Sequence, residues 1–175
     1  MNNHYYILEF ERAADPELEM IPMIVRMKLD IACCRISLSQ WQLLSPAVRA
    51  YLVDTQLVDP QNTRHFRQYL DGALREAGGA PSEDLAVEKC SELMTWLDPG
   101  RLPDSLRAQW YELAPGIAWR SLNTFGRFVA WSLLRKGRME KLKAAAYESC
   151  MYHCGGVHTL PPQGAWEPPI SVELR

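Results

Sequence analysis

The stretch from Ile21 to Trp41 constrains the fold more than any other part of this chain. Apolar residues in and just before its first half recur at the three- and four-residue spacing that lines up one face of a helix: Met20, Ile24, Met27 and Ile31, with Val25 and Leu29 widening that face. Pro22 suits the first turn of that helix, where its missing N–H has no intrahelical partner. The sequence therefore predicts an amphipathic helix that starts near Pro22 and buries this face.

Start signals for further helices recur along the chain. The segment 37–40 has the S-x-x-Q form of a capping box, and both Ser45-Pro46 and Asp59-Pro60 place a capping residue before a proline at the first helical position. Asn123 is a further cap, and Gly137 is a natural helix end. Because almost every well-marked segment is helical, the sequence predicts an all-α fold.

Apolar spacing within these helices predicts what they bury. Tyr51 and Tyr69 are expected on the buried faces of two of them. A last helix is expected to run to about Cys150, and residues 4–10 are expected to form either a strand or an extended lead-in.

Length and proline content predict the domain organisation. A chain of 175 residues is long enough to bury a core as one domain. Prolines cluster near its end, at positions 161, 162, 168 and 169. We therefore expect a single-domain helical bundle over residues 1–154 and an irregular Pro-rich C-terminal tail over residues 155–175.

Two segments share three identities at a constant offset. Trp41, Leu44 and Arg49 of the first match Trp119, Leu122 and Arg127 of the second, and a capping residue follows the leucine in both. The match is explained either by two related helical halves or by chance. In both segments the arginine is expected to be paired internally or to pack over an aromatic ring.

Charge and composition exclude several classes of protein. A net charge of −2 and a pI of about 6.1 argue against a nucleic-acid partner, which usually requires a basic excess. No apolar run approaches the ~18 residues of a membrane span, and the first residues do not resemble a secretory signal. Together with an odd number of cysteines, five, these features predict a cytoplasmic protein with reduced thiols.

Signatures of enzymes are absent from the sequence. It contains no Gly-rich phosphate loop, no H-E-x-x-H and no G-x-S-x-G elbow. We therefore expect a non-enzymatic protein without catalytic residues or a cofactor.

Cysteine-containing segments offer two alternative chemistries. The one cluster with metal-ligand residue types is Cys150, His153, Cys154 and His158. Its members lie within nine residues and two are adjacent, so closure around one ion is awkward and a helix end with incidental thiols is the preferred interpretation. Cys33-Cys34 is interpreted as core packing rather than a redox pair, because a vicinal disulfide closes a strained ring.

Two charged groups are the candidate partner-binding residues. The first is expected on the exposed side of the helix and segment that follow Pro22: Arg26, Lys28, Asp30 and Arg35. The second surrounds Gly137: Arg135, Lys136 and Arg138. The second group is either a solvated helix end, where the helix dipole favours cations, or a binding surface for phosphates or another partner.

The run I-P-M-I-V-R-M-K-L-D at 21–30, followed by I-S-L-S-Q-W at 36–41 and Arg49, resembles the conserved nitrate reductase-associated protein family. F-E-R-A at 10–13, F-R-Q-Y-L at 66–70 and G-R-F at 126–128 fall in the family's order. The chain departs from the family pattern at Ala32-Cys33, where Cys-Gly is usual. It departs again at 137–140, where Gly-His-Glu-Asn is usual.

The resemblance implies an accessory role and no chemistry. It implies that the chain binds a nitrate reductase or molybdenum-cofactor biosynthesis proteins, and supports maturation or activity of the reductase in nitrate assimilation. The family has no established catalytic residues to carry over. The alternative from a different class is a small-molecule or metal-binding helical domain, which would use a pocket between the two halves or the Cys/His tail.

Overall fold

The computed structural model describes residues 7–57, 59–114, 117–146, 148 and 151. In chain order its helices are α1 (Glu9–Ala14), α2 (Met23–Ile31), α3 (Leu38–Leu43), α4 (Pro46–Asp54), α5 (Pro60–Glu76), α6 (Val87–Leu93), α7 (Arg107–Leu113), α8 (Thr124–Arg135) and α9 (Met139–Ala145). Single 3-10 turns lie at Met94–Leu97, Asp104–Leu106 and Trp119–Ser121. The all-α prediction is confirmed. Of the helices in the described part of the chain, none combines the length and the apolar character needed to cross a membrane.

The predicted capping residues start the helices that the sequence assigned to them. Ser37 accepts a hydrogen bond from the Gln40 amide at 3.1 Å, and the Gln40 side chain accepts one from the Ser37 amide at 2.8 Å. Ser45, Asp59 and Asn123 likewise cap α4, α5 and α8 with their side-chain oxygens. These caps satisfy amides that would otherwise have no partner at a helix start.

A two-residue antiparallel ladder is an element that the sequence did not predict. Strand β1 (Cys34–Arg35) pairs with β2 (Glu83–Asp84), with Cys34 opposite Asp84 and Arg35 opposite Glu83. The ladder ties the segment after α2 to the segment after α5.

Helices α2 and α8 form the centre of the core. Every residue of α8 from Thr124 to Leu134 is buried. In α2, all residues are buried except Arg26 and Asp30, which are half-buried one turn apart. Within α2 every residue of the predicted apolar face is buried, and burial extends beyond that face to Met23 and Lys28, because α2 packs against α4, α5, α6 and α8 at once.

Several local predictions were wrong. Met20 precedes α2 and is 49% exposed, since Pro22 is the N-cap rather than a residue of the first turn. Tyr51 and Tyr69 are half-exposed and pack against each other with tilted rings, whose centroids lie 4.2 Å apart. Residues 9 and 10 belong to helix α1 rather than to a strand or lead-in, and α9 ends at Ala145, short of Cys150.

The two matching segments have the same backbone course. Leu44 and Leu122 are buried, and each ends a short helical turn in an extended conformation, with ψ of 140° and 139°. In both segments the next residue caps the following helix through its side chain.

The matching arginines also have corresponding partners. Arg49 donates from Nη1 to the Leu18 carbonyl, and Arg127 donates from Nε to the Trp96 carbonyl. Leu18 and Trp96 are separated by the same offset as the arginines. The predicted internal pairing of both arginines is confirmed, and this shared geometry supports two related halves.

Candidate functional site

A groove opens between α2 and the C-terminal end of α8. It has a volume of about 530 Å³. We call it the cationic groove and define it by its lining residues: Met20, Ile21, Arg26, Leu29, Asp30, Cys34, Arg35, Ile36, Leu38, Phe128, Trp131, Ser132, Arg135 and Lys136. Helix α2 contributes from the first half of the chain and α8 from the second, so the groove lies between the two halves.

Five of the seven predicted partner-binding residues line this groove: Arg26, Asp30, Arg35, Arg135 and Lys136. Arg138 lines an adjoining cavity of about 170 Å³. The fold thus brings two charged groups, far apart in sequence, onto one surface. Lys28 is the exception.

Local structure explains why these charged side chains face the groove. Arg26 and Asp30 are the two residues of α2 that its neighbours leave half-buried. Arg135 is the last residue of α8 and Lys136 is its C-cap, so both cations lie where the helix dipole favours positive charge. Gly137 follows with φ of 62°, a conformation that lets the chain reverse into α9.

The groove is electropositive, with one carboxylate among its cations. Burial raises the pKa of Asp30 to about 6, although Lys136, Arg135 and Arg26 act in the opposite direction. Burial and the neighbouring cations Arg26, Arg138 and Arg135 lower the pKa of Lys136. Among the described residues, Arg26, Arg135 and Lys136 form no ion pair within 4 Å with any carboxylate. Their charge is therefore available to an anionic ligand.

Three of the groove's arginines make contacts that fix their position. Arg26 donates from Nε to the Ile21 carbonyl at 2.8 Å. Arg35 donates from Nε to Glu83 at 2.8 Å across the small ladder, so its charge is partly compensated. The guanidinium of Arg135 lies 4.5 Å from the centre of the Trp131 ring, a cation–π contact that leaves its N–H groups free to donate.

The floor and rim of the groove are apolar. Phe128 and Trp131 of α8 are buried beneath it, whereas Met20 and Leu38 are 49% and 38% exposed. Neither Met20 nor Leu38 was predicted as a site residue, and Met20 was expected in the core. The sequence signal that was available is their position: Met20 lies just before α2, and Leu38 lies in the first turn of α3.

Lys28 was expected on the exposed side of α2, and that expectation was wrong. It is 3% exposed, and its ammonium donates to the carbonyls of Leu52 at 2.8 Å and Val53 at 2.6 Å. It thereby caps the C-terminal end of α4, whose last carbonyls have no intrahelical partners. Burial lowers its pKa to about 7, with Asp54 acting in the opposite direction. Its role is structural.

The cysteines in the described part of the chain lie in the core. Cys33, Cys34 and Cys90 are free and buried, in keeping with the core-packing interpretation. Burial raises the pKa of the Cys33 thiol, and that of Cys34 to about 11, so neither is a thiolate near neutral pH.

The predicted metal-ligand cluster cannot be placed in the fold. Cys150, His153, Cys154 and His158 lie outside the described residues, as does the tail from 155 to 175. The metal hypothesis therefore stays a prediction.

Comparison with known proteins gives one match. A family model described as "Conserved nitrate reductase-associated protein" matches residues 7–148. No curated protein and no solved structure matches the chain. The matched range contains α1 to α9, and with them every lining residue of the cationic groove.

Proposed function

The chain belongs to the conserved nitrate reductase-associated protein family, and from that premise we propose that it is a non-enzymatic accessory protein. It binds a molybdenum nitrate reductase of nitrate assimilation, or a protein that supplies the reductase with molybdenum cofactor. Through this binding it supports maturation or activity of the reductase. The proposed compartment is the cytoplasm, where buried free thiols such as Cys33, Cys34 and Cys90 persist.

The observation that carries this proposal is the cationic groove. It gathers Arg26, Arg135 and Lys136 beside the exposed apolar residues Met20 and Leu38. A partly apolar surface with arginine at its edge has the composition of a protein interface.

The chemistry of the groove favours binding over catalysis. Arginine stays protonated in proteins, so it holds charge and hydrogen-bonds but does not exchange protons with a substrate. Asp30 is the one carboxylate among the groove's lining residues, and none of these residues is a histidine. We therefore assign the groove to recognition of a partner.

A pull-down from the native host grown on nitrate tests this proposal. Tagged wild-type protein is expected to retain the nitrate reductase or a molybdenum-cofactor protein, identified by mass spectrometry. The double variant Arg135→Glu with Lys136→Glu is expected to lose that partner. Arg75→Glu is the control, because Arg75 is an exposed residue in the last turn of α5 and is not part of the groove lining.

Loss of the partner from the groove variant alone supports the proposal. Absence of both partner classes from the wild-type eluate, when the reductase is abundant in the lysate, would refute the accessory role.

A second candidate is a small-molecule-binding domain, favoured by one observation. The groove lies between the two halves, and its volume of about 530 Å³ is within the range of small-molecule sites. A metal-binding domain that uses Cys150, His153, Cys154 and His158 belongs to the same alternative. Metal analysis of protein purified without an affinity tag tests the tail site, and a thermal-shift screen of small anions tests the groove.

A further inference from the structure

We propose that the cationic groove continues into its neighbouring cavity as one trough, and that this trough binds an acidic, amphipathic segment of a partner protein. The inference rests on the proposed function, because it specifies the chemistry of the partner. The two cavities share five lining residues: Met20, Ile21, Arg26, Ser132 and Lys136. We call the combined surface the cationic trough. Arg35 lines only its larger cavity, and Phe10 and Lys141 line only its smaller one.

Positive charge is concentrated along the trough. The cations that line it are Arg26, Arg35, Arg135, Lys136, Arg138 and Lys141, against three carboxylates, Glu11, Asp15 and Asp30. The whole chain carries a net charge of −2. The rest of the chain therefore carries a net negative charge, whereas the trough presents cations from both halves to an anionic partner.

Two of the three carboxylates are already engaged by the backbone. Glu11 accepts from the Met23 amide at 2.8 Å, so it holds the start of α2. Asp15 accepts from the amides of Glu19 at 2.9 Å and Met20 at 2.6 Å. Both carboxylates therefore accept hydrogen bonds from backbone amides, and among the described residues neither forms an ion pair within 4 Å with a trough cation. Burial raises the pKa of Glu11, although Arg26 acts in the opposite direction.

Most of the trough's cations have no carboxylate partner. Within the described residues, Arg35 has a carboxylate partner, Glu83, whereas Arg26, Arg135, Lys136 and Arg138 have none within 4 Å. Charge-assisted hydrogen bonds to arginine are among the strong ones available at a protein surface. The trough thus presents donors that a carboxylate-bearing segment can satisfy.

The apolar residues of the trough specify a segment that is amphipathic rather than merely acidic. Met20 lines both cavities and Leu38 lines the larger one, and both are substantially exposed. Exposed apolar side chains flanked by cations suit apolar residues flanked by carboxylates. Methionine, flexible and polarisable, adapts to different apolar partners.

The spread of charge favours an extended segment over a compact anion. The cations extend beyond the cluster around Lys136, since Arg35 lines only the larger cavity and Lys141 only the smaller, and Asp30 interrupts them on α2. A phosphate bound beside Asp30 would face a like charge. A peptide can place carboxylates on either side of Asp30 and an apolar residue across it. A nucleic acid is disfavoured by the net negative charge of the chain.

Fluorescence anisotropy with short labelled peptides tests the proposal. The probe alternates glutamate with leucine. One comparison peptide replaces glutamate by lysine, and another replaces leucine by serine. The full chain is expected to bind the probe, to bind both comparison peptides at least tenfold more weakly, and to lose affinity as salt is raised.

Variants locate the binding on the molecule. Arg135→Gln and Arg138→Gln remove charge from exposed side chains, and together they are expected to weaken binding about tenfold. Arg64→Gln and Arg75→Gln, exposed on α5, are the control pair and are expected to leave binding unchanged. Circular dichroism confirms that both pairs remain folded.

Three results would overturn the inference. The first is a probe that binds no better than its lysine version. The second is equal binding of the leucine and serine peptides, which would show that the trough does not recognise apolar side chains. The third is displacement of the probe by inorganic pyrophosphate at the same concentration as by unlabelled probe, which would identify a small anion as the ligand.

Failure of this inference and failure of the proposed function give different results. If the reductase is retained by wild-type protein and equally by Arg135→Gln with Arg138→Gln, and the probe does not bind, the accessory role stands and the trough is not its site. If the probe binds in the trough and the host yields neither partner class, the trough chemistry stands and the accessory role fails.

Discussion

Lys28 gives the chain a pH-dependent stability that can be calculated from its environment. The side chain is 3% exposed, and its Nζ donates to the carbonyls of Leu52 and Val53. Burial lowers its pKa from 10.5 to about 7 in the folded protein. The unfolded chain holds this lysine near its ordinary pKa of 10.5. The two states therefore bind different numbers of protons between these values.

The sign follows from which state holds the proton. Between pH 7 and about 10, the unfolded state keeps Lys28 protonated while the folded state releases its proton. Stability rises with pH wherever the unfolded state binds more protons. From pH 7 to pH 9 the expected gain in the free energy of unfolding is about 2 kcal/mol.

The rise in stability is predicted only up to pH 9, because above that pH other groups lower the free energy of unfolding. Burial raises the thiol pKa of Cys33 and Cys34 in the folded state. Unfolded thiols lose their protons near pH 9 while the buried ones keep theirs, so these cysteines destabilise the fold as the pH rises further.

Urea unfolding at pH 7, 8 and 9, followed by circular dichroism, measures the effect. Wild-type protein is expected to gain stability across the series, and Lys28→Met is expected to show little dependence on pH. Lys89→Met is the control, since Lys89 is exposed on α6 and its replacement is expected to leave the rise intact. A flat or falling wild-type profile, or a rise of the same size in Lys28→Met, would contradict the assignment of a buried titrating ammonium.

Further substitutions test the packing and the electrostatics. Gly126→Ala would place a Cβ 2.3 Å from the Met151 carbonyl oxygen, so we expect a loss of at least about 2 kcal/mol in urea unfolding. Arg127→Met leaves the Trp96 carbonyl and its neighbours without their buried donor, with an expected loss of about 3 kcal/mol in the same assay. Asp30, with a pKa of about 6, is expected to weaken binding of the acidic probe as the pH rises from 5.5 to 7.5; anisotropy should show that Asp30→Asn abolishes this dependence.

Sequence patterns predicted the local structure well, because the signals involved are themselves local. A capping side chain and the amide that it accepts from lie three residues apart, as Ser37 and Gln40 do. The same holds for Asp59 and Asn123, each of which starts the expected helix. The resemblance to the family was confirmed by the match to residues 7–148.

Burial on a central helix was harder to predict. Periodicity in α2 indicated one buried face, but the helix is enclosed on nearly every side, and Lys28 is enclosed with it. What makes that burial tolerable is the pair of free carbonyls at the end of α4, which no pattern around Lys28 reveals. The predicted burial of Tyr51 and Tyr69 was wrong for a related reason, since their rings pack against each other at the surface instead of entering the core.

The candidate site was predicted in its parts but not as a whole. Arg26 and Asp30 were singled out on one helix, and Arg135 and Lys136 at the end of another. Their meeting in one groove depends on the packing of α2 against α8, which follows from no spacing rule. The contribution of Leu38 to the rim likewise depends on tertiary structure.

Direct binding between the purified chain and purified nitrate reductase of the same host tests the central claim most directly. Biolayer interferometry is expected to show salt-sensitive binding of wild-type protein and of Arg75→Glu. The groove variant Arg135→Glu with Lys136→Glu is expected to bind at least tenfold more weakly. Equal binding by all three proteins would contradict the groove as the interface. No binding by any of them, to the reductase or to the host's molybdenum-cofactor proteins, would contradict the accessory role itself.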